Sequence, residues 1–98
     1  MTAVYWTPEA LTRLEEIEAY IARDAPAAAK DMVARLLGRS RQLATAPLSG
    51  RQLCDTPHQD LRELLERPFR LIYRVSADRV EVLTVMHYRQ LLPRKQPP

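Results

Sequence analysis

Apolar residues along this chain change their spacing twice, and each change marks an element. Ala3-Val4-Tyr5-Trp6 is a short β-prone run. Thr7-Pro8-Glu9-Ala10 follows with the signals of a helix start: Thr7 as N-cap, Pro8 at the first helical position and an acid in the first turn. Leu11, Leu14, Ile17 and Ile21, with Tyr20 beside them, then recur at helical spacing as far as about Asp24. Asp24-Ala25-Pro26 breaks this helix and opens a second, because proline disfavours helix in the residue before it and is tolerated in a first turn. The second helix, from about Pro26 to about Ala46, carries Ala29, Met32, Val33, Leu36, Leu37 and Leu43 on a broad stripe. So short a connection forces an antiparallel helical hairpin, whose shared stripe needs a further apolar surface.

That surface comes from the second half of the chain. Pro47-Leu48-Ser49-Gly50-Arg51 reads as a turn, and Gln52 to Asp60, with Pro57 and His58, as an irregular mobile loop. Leu61-Arg62-Glu63-Leu64-Leu65-Glu66 opens a strand region, and Arg67-Pro68 links it to Phe69-Arg70-Leu71-Ile72-Tyr73-Arg74-Val75. Along that strand Phe69, Leu71, Tyr73 and Val75 alternate with Arg70, Ile72 and Arg74, which predicts one buried face and one partly wet face. Ser76-Ala77-Asp78 turns into Val80 to Met86, apolar at nearly every position as for a central strand covered on both sides. The expected fold class is α+β, β-α-α-β-β-β, with the long N-terminal helical hairpin packed on a small, mostly antiparallel sheet.

Composition narrows the class. Ninety-eight residues, of which 46% are hydrophobic and 28% charged, make one small domain spanning the chain, with residues 93–98 as a flexible tail. No apolar run approaches the length of a membrane span, and the N-terminus lacks a signal-peptide pattern, so the expectation is a cytoplasmic protein without membrane contact. Cys54 is the single cysteine, which excludes an internal disulfide and leaves a reduced loop thiol as its expected state. Two histidines in different elements offer no metal-ligand spacing, and no cofactor is expected. The net charge of +3 is uneven: residues 1–38 hold four basic and six acidic side chains, and residues 39–98 hold eleven and six. Thirteen of the fifteen cations are arginine, whose planar fork suits phosphates and carboxylates, so an anionic partner is expected.

Candidate chemistry gathers where the last strand ends, at His87-Tyr88-Arg89, which offers an imidazole, a phenol and a guanidinium. Each has a purely structural alternative. His87 can serve as a hydrogen-bonded strand end, Tyr88 can cap the core edge, and Arg70 can pair across the sheet with Glu63 or Glu81. Tyr73 falls on the Phe69 face and reads as core.

The fragments Trp6-Thr7-Pro8-Glu9-Ala10, Leu14-Glu15-Glu16-Ile17, Tyr20-Ile21-Ala22, Pro47-Leu48-Ser49-Gly50-Arg51, Leu61-Arg62-Glu63-Leu64, Phe69-Arg70-Leu71-Ile72-Tyr73-Arg74-Val75 and Val82-Leu83-Thr84-Val85-Met86-His87-Tyr88-Arg89 resemble, in order and spacing, the RelE/ParE superfamily. Its members are toxins of bacterial type II toxin-antitoxin modules. The long helical hairpin and the strand ending in His followed by Arg look most like the ParE branch. That likeness implies growth inhibition through DNA gyrase, with Arg62, Arg70, Arg74, His87, Tyr88 and Arg89 contacting the target. It also implies a hetero-oligomer with a ParD-like antitoxin bearing a ribbon-helix-helix DNA-binding domain, held near Leu14, Ile21, Leu36 and Arg39. The RelE-like and YoeB-like branch implies instead a metal-independent endoribonuclease acting on messenger RNA in the ribosome. There Arg70 resembles the phosphate-binding arginine and His87-Tyr88 the terminal pair of the YoeB-like group, with Glu63 and Glu66 the nearest carboxylate bases.

Overall fold

Thr7 ends the first strand and begins the first helix with one hydroxyl. In the computed structural model its Oγ1 accepts from the Ala10 N–H at 3.1 Å, capping the helix, and donates to the Leu83 carbonyl at 2.9 Å, tying that helix to the last strand. The structure describes residues 1–53 and 60–92. Cys54, Pro57 and His58 and the expected tail 93–98 lie outside the described residues.

The elements are β1 (Ala3–Trp6), α1 (Pro8–Ala22), α2 (Pro26–Arg41), a 3₁₀ turn (Gln42–Ala44), β2 (Arg51–Gln52), β3 (Leu61–Glu66), β4 (Phe69–Val75) and β5 (Arg79–His87). They form one sheet in the order β1-β5-β4-β3-β2. β1 runs parallel to β5, and every other pairing is antiparallel. The α+β architecture is as the hydrophobic spacing predicts, with one strand more. Arg51 and Gln52, read as turn and loop, pair with Glu63 and Arg62 at the sheet edge, a two-residue strand too short to leave an alternation in the sequence.

Two further boundaries move. The second helix stops at Arg41 and tightens into the 3₁₀ turn instead of continuing to Ala46, a common ending where the last carbonyls lack helical partners. Leu11, placed on the apolar stripe of α1, and Tyr20, placed beside it, are 47% and 72% exposed, because the sheet receives the Ala10, Leu14, Ile17 and Ile21 side of the helix.

The sheet has two unequal cores. On the helical face, Leu64, Leu71, Tyr73, Val80, Val82 and Val85 pack against Ala10, Leu14, Met32, Leu36 and Leu43. On the other face, Leu61 and Ile72 pack with Leu53 and Leu92, with Leu83 and Met86 partly buried beside them. Ile72, assigned from the alternation to a partly wet face, is therefore buried, because chain beyond the last strand folds back over it. A register shift between Ile72 and Tyr73, which pair with Thr84 and Val82, leaves Leu83 as the extra residue of a bulge. That bulge carbonyl is the one Thr7 holds.

Tyr73 is core, as its register predicts, and its buried hydroxyl joins the core to the loop after α2. It accepts from the Gly50 N–H at 2.8 Å and donates to the Pro47 carbonyl at 2.9 Å. Gly50 is required by this approach, since a β-carbon there would lie 2.5 Å from both the Glu63 carbonyl and the Tyr73 hydroxyl oxygen. Replacing Tyr73 with Phe leaves a buried N–H and a partly buried carbonyl without their partner and is expected to cost about 1–3 kcal/mol by denaturant unfolding. Gly50→Ala should cost more than Tyr73→Phe, because the clash is with backbone; an equal or higher midpoint for Gly50→Ala would count against this close approach.

Burial raises the Tyr73 phenol pKa above its ordinary value, with the Gly50 hydrogen bond and the Arg62 charge opposing in part. A raised phenol pKa means that the folded state prefers the neutral ring. The associated stability is present below the unfolded value of about 10 and is lost as pH rises through the higher folded value. Urea midpoints should accordingly fall more steeply above about pH 10 for the native chain than for Tyr73→Phe.

Candidate target-binding edge

β5 delivers its last residues to a tight, heavily bonded turn. The Tyr88 N–H donates to the Pro68 carbonyl at 2.8 Å and the Gln90 N–H to the His87 carbonyl at 2.9 Å. The Gln90 side-chain Oε1 accepts from the His87 N–H at 2.8 Å. The strand end is thus closed by its own following residue.

The turn carries an aromatic and cationic cluster. The His87 ring stacks on Tyr88 with centroids 4.9 Å apart and meets Phe69 edge-on at 6.3 Å. Arg67 and Arg89 set their guanidinium groups 5.3 and 5.4 Å from the Tyr88 centroid, and Arg89 Nε donates to the phenol oxygen at 3.0 Å. His87 Nδ1 accepts from the Arg89 N–H at 3.2 Å, so the neutral ring carries its proton on Nε2. Arg89 is exposed and His87 and Tyr88 are half-buried, which leaves a compact cationic edge with aromatic faces. Its chemistry suits recognition of carboxylates, phosphates or a planar group.

Of the residues singled out in the sequence, His87, Tyr88 and Arg89 come together here and the others do not. Arg70 is opposite Met86, while His87 is opposite Phe69, so their side chains leave β4 and β5 on different faces of the sheet. Arg70 is 5% exposed and donates through Nη1 to Glu63 Oε1 at 3.0 Å and through Nη2 to the Gln90 carbonyl. Of the two partners weighed for it, Glu63 is therefore the one it takes. Arg62 donates to the Gly50 carbonyl at 2.9 Å, and Arg74 Nε to Asp60 at 2.7 Å, both toward the opposite end of β4. Leu14 and Leu36 are buried in the helical core, Ile21 packs half-buried against it, and Arg39 lies beside Glu66 and the Leu65 carbonyl.

Arg67, Phe69 and Gln90 belong to the edge and were not singled out by the sequence. Arg67 precedes a proline and reads there only as a link, and nothing local in Gln90 announces its role. At the edge an open groove of about 1440 Å³ runs from α1 past the end of β5 to the other face of the sheet, lined by Ile17, Ile21, Phe69 and Val85 on the helical side and by Ile72, Met86 and Leu92 on the other. Among the described residues, no three His, Cys, Asp or Glu side chains gather where they could share a metal ion, and no helix is long and apolar enough to cross a membrane.

This architecture has counterparts. Over 90 residues, covering 92% of each chain, the sequence is 44% identical to "Putative toxin Y4kP" of Sinorhizobium fredii. The fold superposes on a chain of the chromosomal ParDE toxin-antitoxin system from P. aeruginosa with a TM-score of 0.78 at 24% identity, covering 89% of this chain and 96% of that one. A chain of the RelBE2 toxin-antitoxin complex from Mycobacterium tuberculosis gives 0.66 at 20% identity, covering 91% and 93%. Residues 4–92 match the family described as the ParE toxin of the type II toxin-antitoxin system parDE. With nearly its whole length matched in this way, the chain belongs to the ParE family of toxins, within the RelE/ParE superfamily.

Proposed function

We propose that this toxin acts in the cytoplasm as an inhibitor of DNA gyrase, binding it through the His87–Arg89 edge, and that a ParD-like antitoxin neutralises it. The observation that carries this reading is the separation of Arg70 from His87. A phosphoryl-transfer site needs its phosphate-binding cation and its acid or base around one atom. Here Arg70 is engaged by Glu63 and Gln90 on one face of the sheet, while His87 and Tyr88 are stacked on each other beyond the other face. An edge of stacked rings and guanidinium groups, held by its own hydrogen bonds, supports recognition better than turnover.

The antitoxin reading rests on the groove beside α1. Its apolar floor and mixed polar rim suit an amphipathic segment that orders as it binds, with Ile17, Ile21 and Phe69 as contacts. This shifts the proposed contact away from Leu14 and Leu36, which the core already uses.

A supercoiling and cleavage assay with purified gyrase, run beside primer extension on translated messages, separates the two targets. Loss of supercoiling or accumulation of cleaved DNA is expected at toxin concentrations that leave messages intact; ribosome-dependent cuts at codon positions without a gyrase effect would overturn the gyrase reading. Within that assay, Arg67→Ala with Arg89→Ala should weaken gyrase inhibition about tenfold while antitoxin affinity, measured by calorimetry, changes by no more than about twofold.

A further inference from the structure

Gln90 is where three contacts converge. Its backbone N–H and side-chain oxygen take both backbone hydrogen-bonding groups of His87, and its own carbonyl accepts from the buried Arg70 guanidinium. Arg70 is in turn oriented by Glu63, a buried carboxylate on β3 that also accepts from Arg51 Nε at 2.9 Å. A continuous line of charged hydrogen bonds therefore runs from the β2 edge, under the sheet, to the turn that bears Tyr88 and Arg89.

We infer that Glu63, Arg70 and Gln90 form a positioning relay for the target-binding edge, in which Arg70 acts through Gln90 and does not itself touch the target. This rests on reading the His87–Arg89 turn as the target contact. A planar guanidinium presents its donors in a fixed fork, so a carboxylate at one end sets where the other end places its acceptor. A lysine could hold Glu63 but not both acceptors in one plane. A buried ion pair contributes little net stability against a well-packed apolar substitute, whereas it does dictate geometry, and geometry is what a recognition turn requires. Gln90 is exposed and belongs to neither core, so its three hydrogen bonds serve the shape of the turn.

The test replaces the pair by apolar side chains of similar size, Glu63→Leu with Arg70→Met, in the full chain. Thermal melting is expected to stay close to that of the native protein. Amide exchange at His87 and Gln90 should quicken by about tenfold while Leu71 and Val82 are unchanged, and gyrase inhibition should weaken by about tenfold. A merely stabilising pair predicts instead that a variant of native melting temperature keeps native exchange and native inhibition; that result would overturn the relay. Should the double variant fold poorly, Arg70→Lys serves in its place, since it keeps a cation beside Glu63 without the fork that reaches the Gln90 carbonyl, and unchanged exchange at His87 and Gln90 in that variant would equally overturn it. If the native toxin leaves gyrase untouched, the gyrase reading falls, and the exchange measurement alone decides whether the relay exists.

Discussion

The orientation of the helical hairpin on the sheet depends on one hydroxyl. Thr7 has to satisfy the first turn of α1 and the bulged carbonyl of Leu83 together, so the helix can start only where β5 departs from regular pairing. The Thr7 N–H donates to the Val82 carbonyl at 3.0 Å, which extends the β1–β5 ladder up to the helix start. From there Leu14, Met32 and Leu36 have only one layer of side chains to meet, that of Leu71, Tyr73 and Val82. The bulge thus does for the hairpin what a turn does for two strands, setting both position and direction.

A sheet with helices on one face leaves its other face to be covered by something. Among the described residues that cover is Leu53 and Leu92 over Leu61 and Ile72, with a buried ion pair beside them. Burying charge on this face makes sense only if each charge is matched, as Glu63 is by two arginines and Arg70 by a carboxylate and a carbonyl. The apolar residues hold the returning chain down, and the charged ones decide where it stops. The course of the turn at His87–Gln90 is a product of both.

Most of the fold was legible because its signals are local. Thr7-Pro8 states a helix start, the spacing from Leu14 to Ile21 states its buried side, and the alternation from Phe69 to Val75 correctly assigns Tyr73 to the core. What the sequence could not state depends on partners far away in the chain. Period-two reasoning puts Arg70 and Ile72 on one face, which is right, but cannot tell that a segment twenty residues later covers that face. The two residues of β2 are strand only because Arg62 and Glu63 lie opposite them. At the edge, His87, Tyr88 and Arg89 were conspicuous as chemistry adjacent in sequence, whereas Arg67 and Phe69 join them only through strand register and Gln90 through its bonds to His87 and Arg70.

The parallel pairing of β1 with β5 has a consequence for the order of assembly. β3, β4 and β5 are successive antiparallel neighbours and can zip together as they are made, and the helical hairpin is likewise local. β1 has no strand neighbour except residues 79–82. During synthesis, β1 and the Thr7–Leu83 contact must therefore wait until β5 has emerged, although the Thr7 hydroxyl can already cap α1. The helices can form early but have no fixed seat until then. Closure of the fold and completion of the His87–Arg89 edge thus fall together, both waiting on β5, so a nascent chain presents that edge only in the same step that seats its helices.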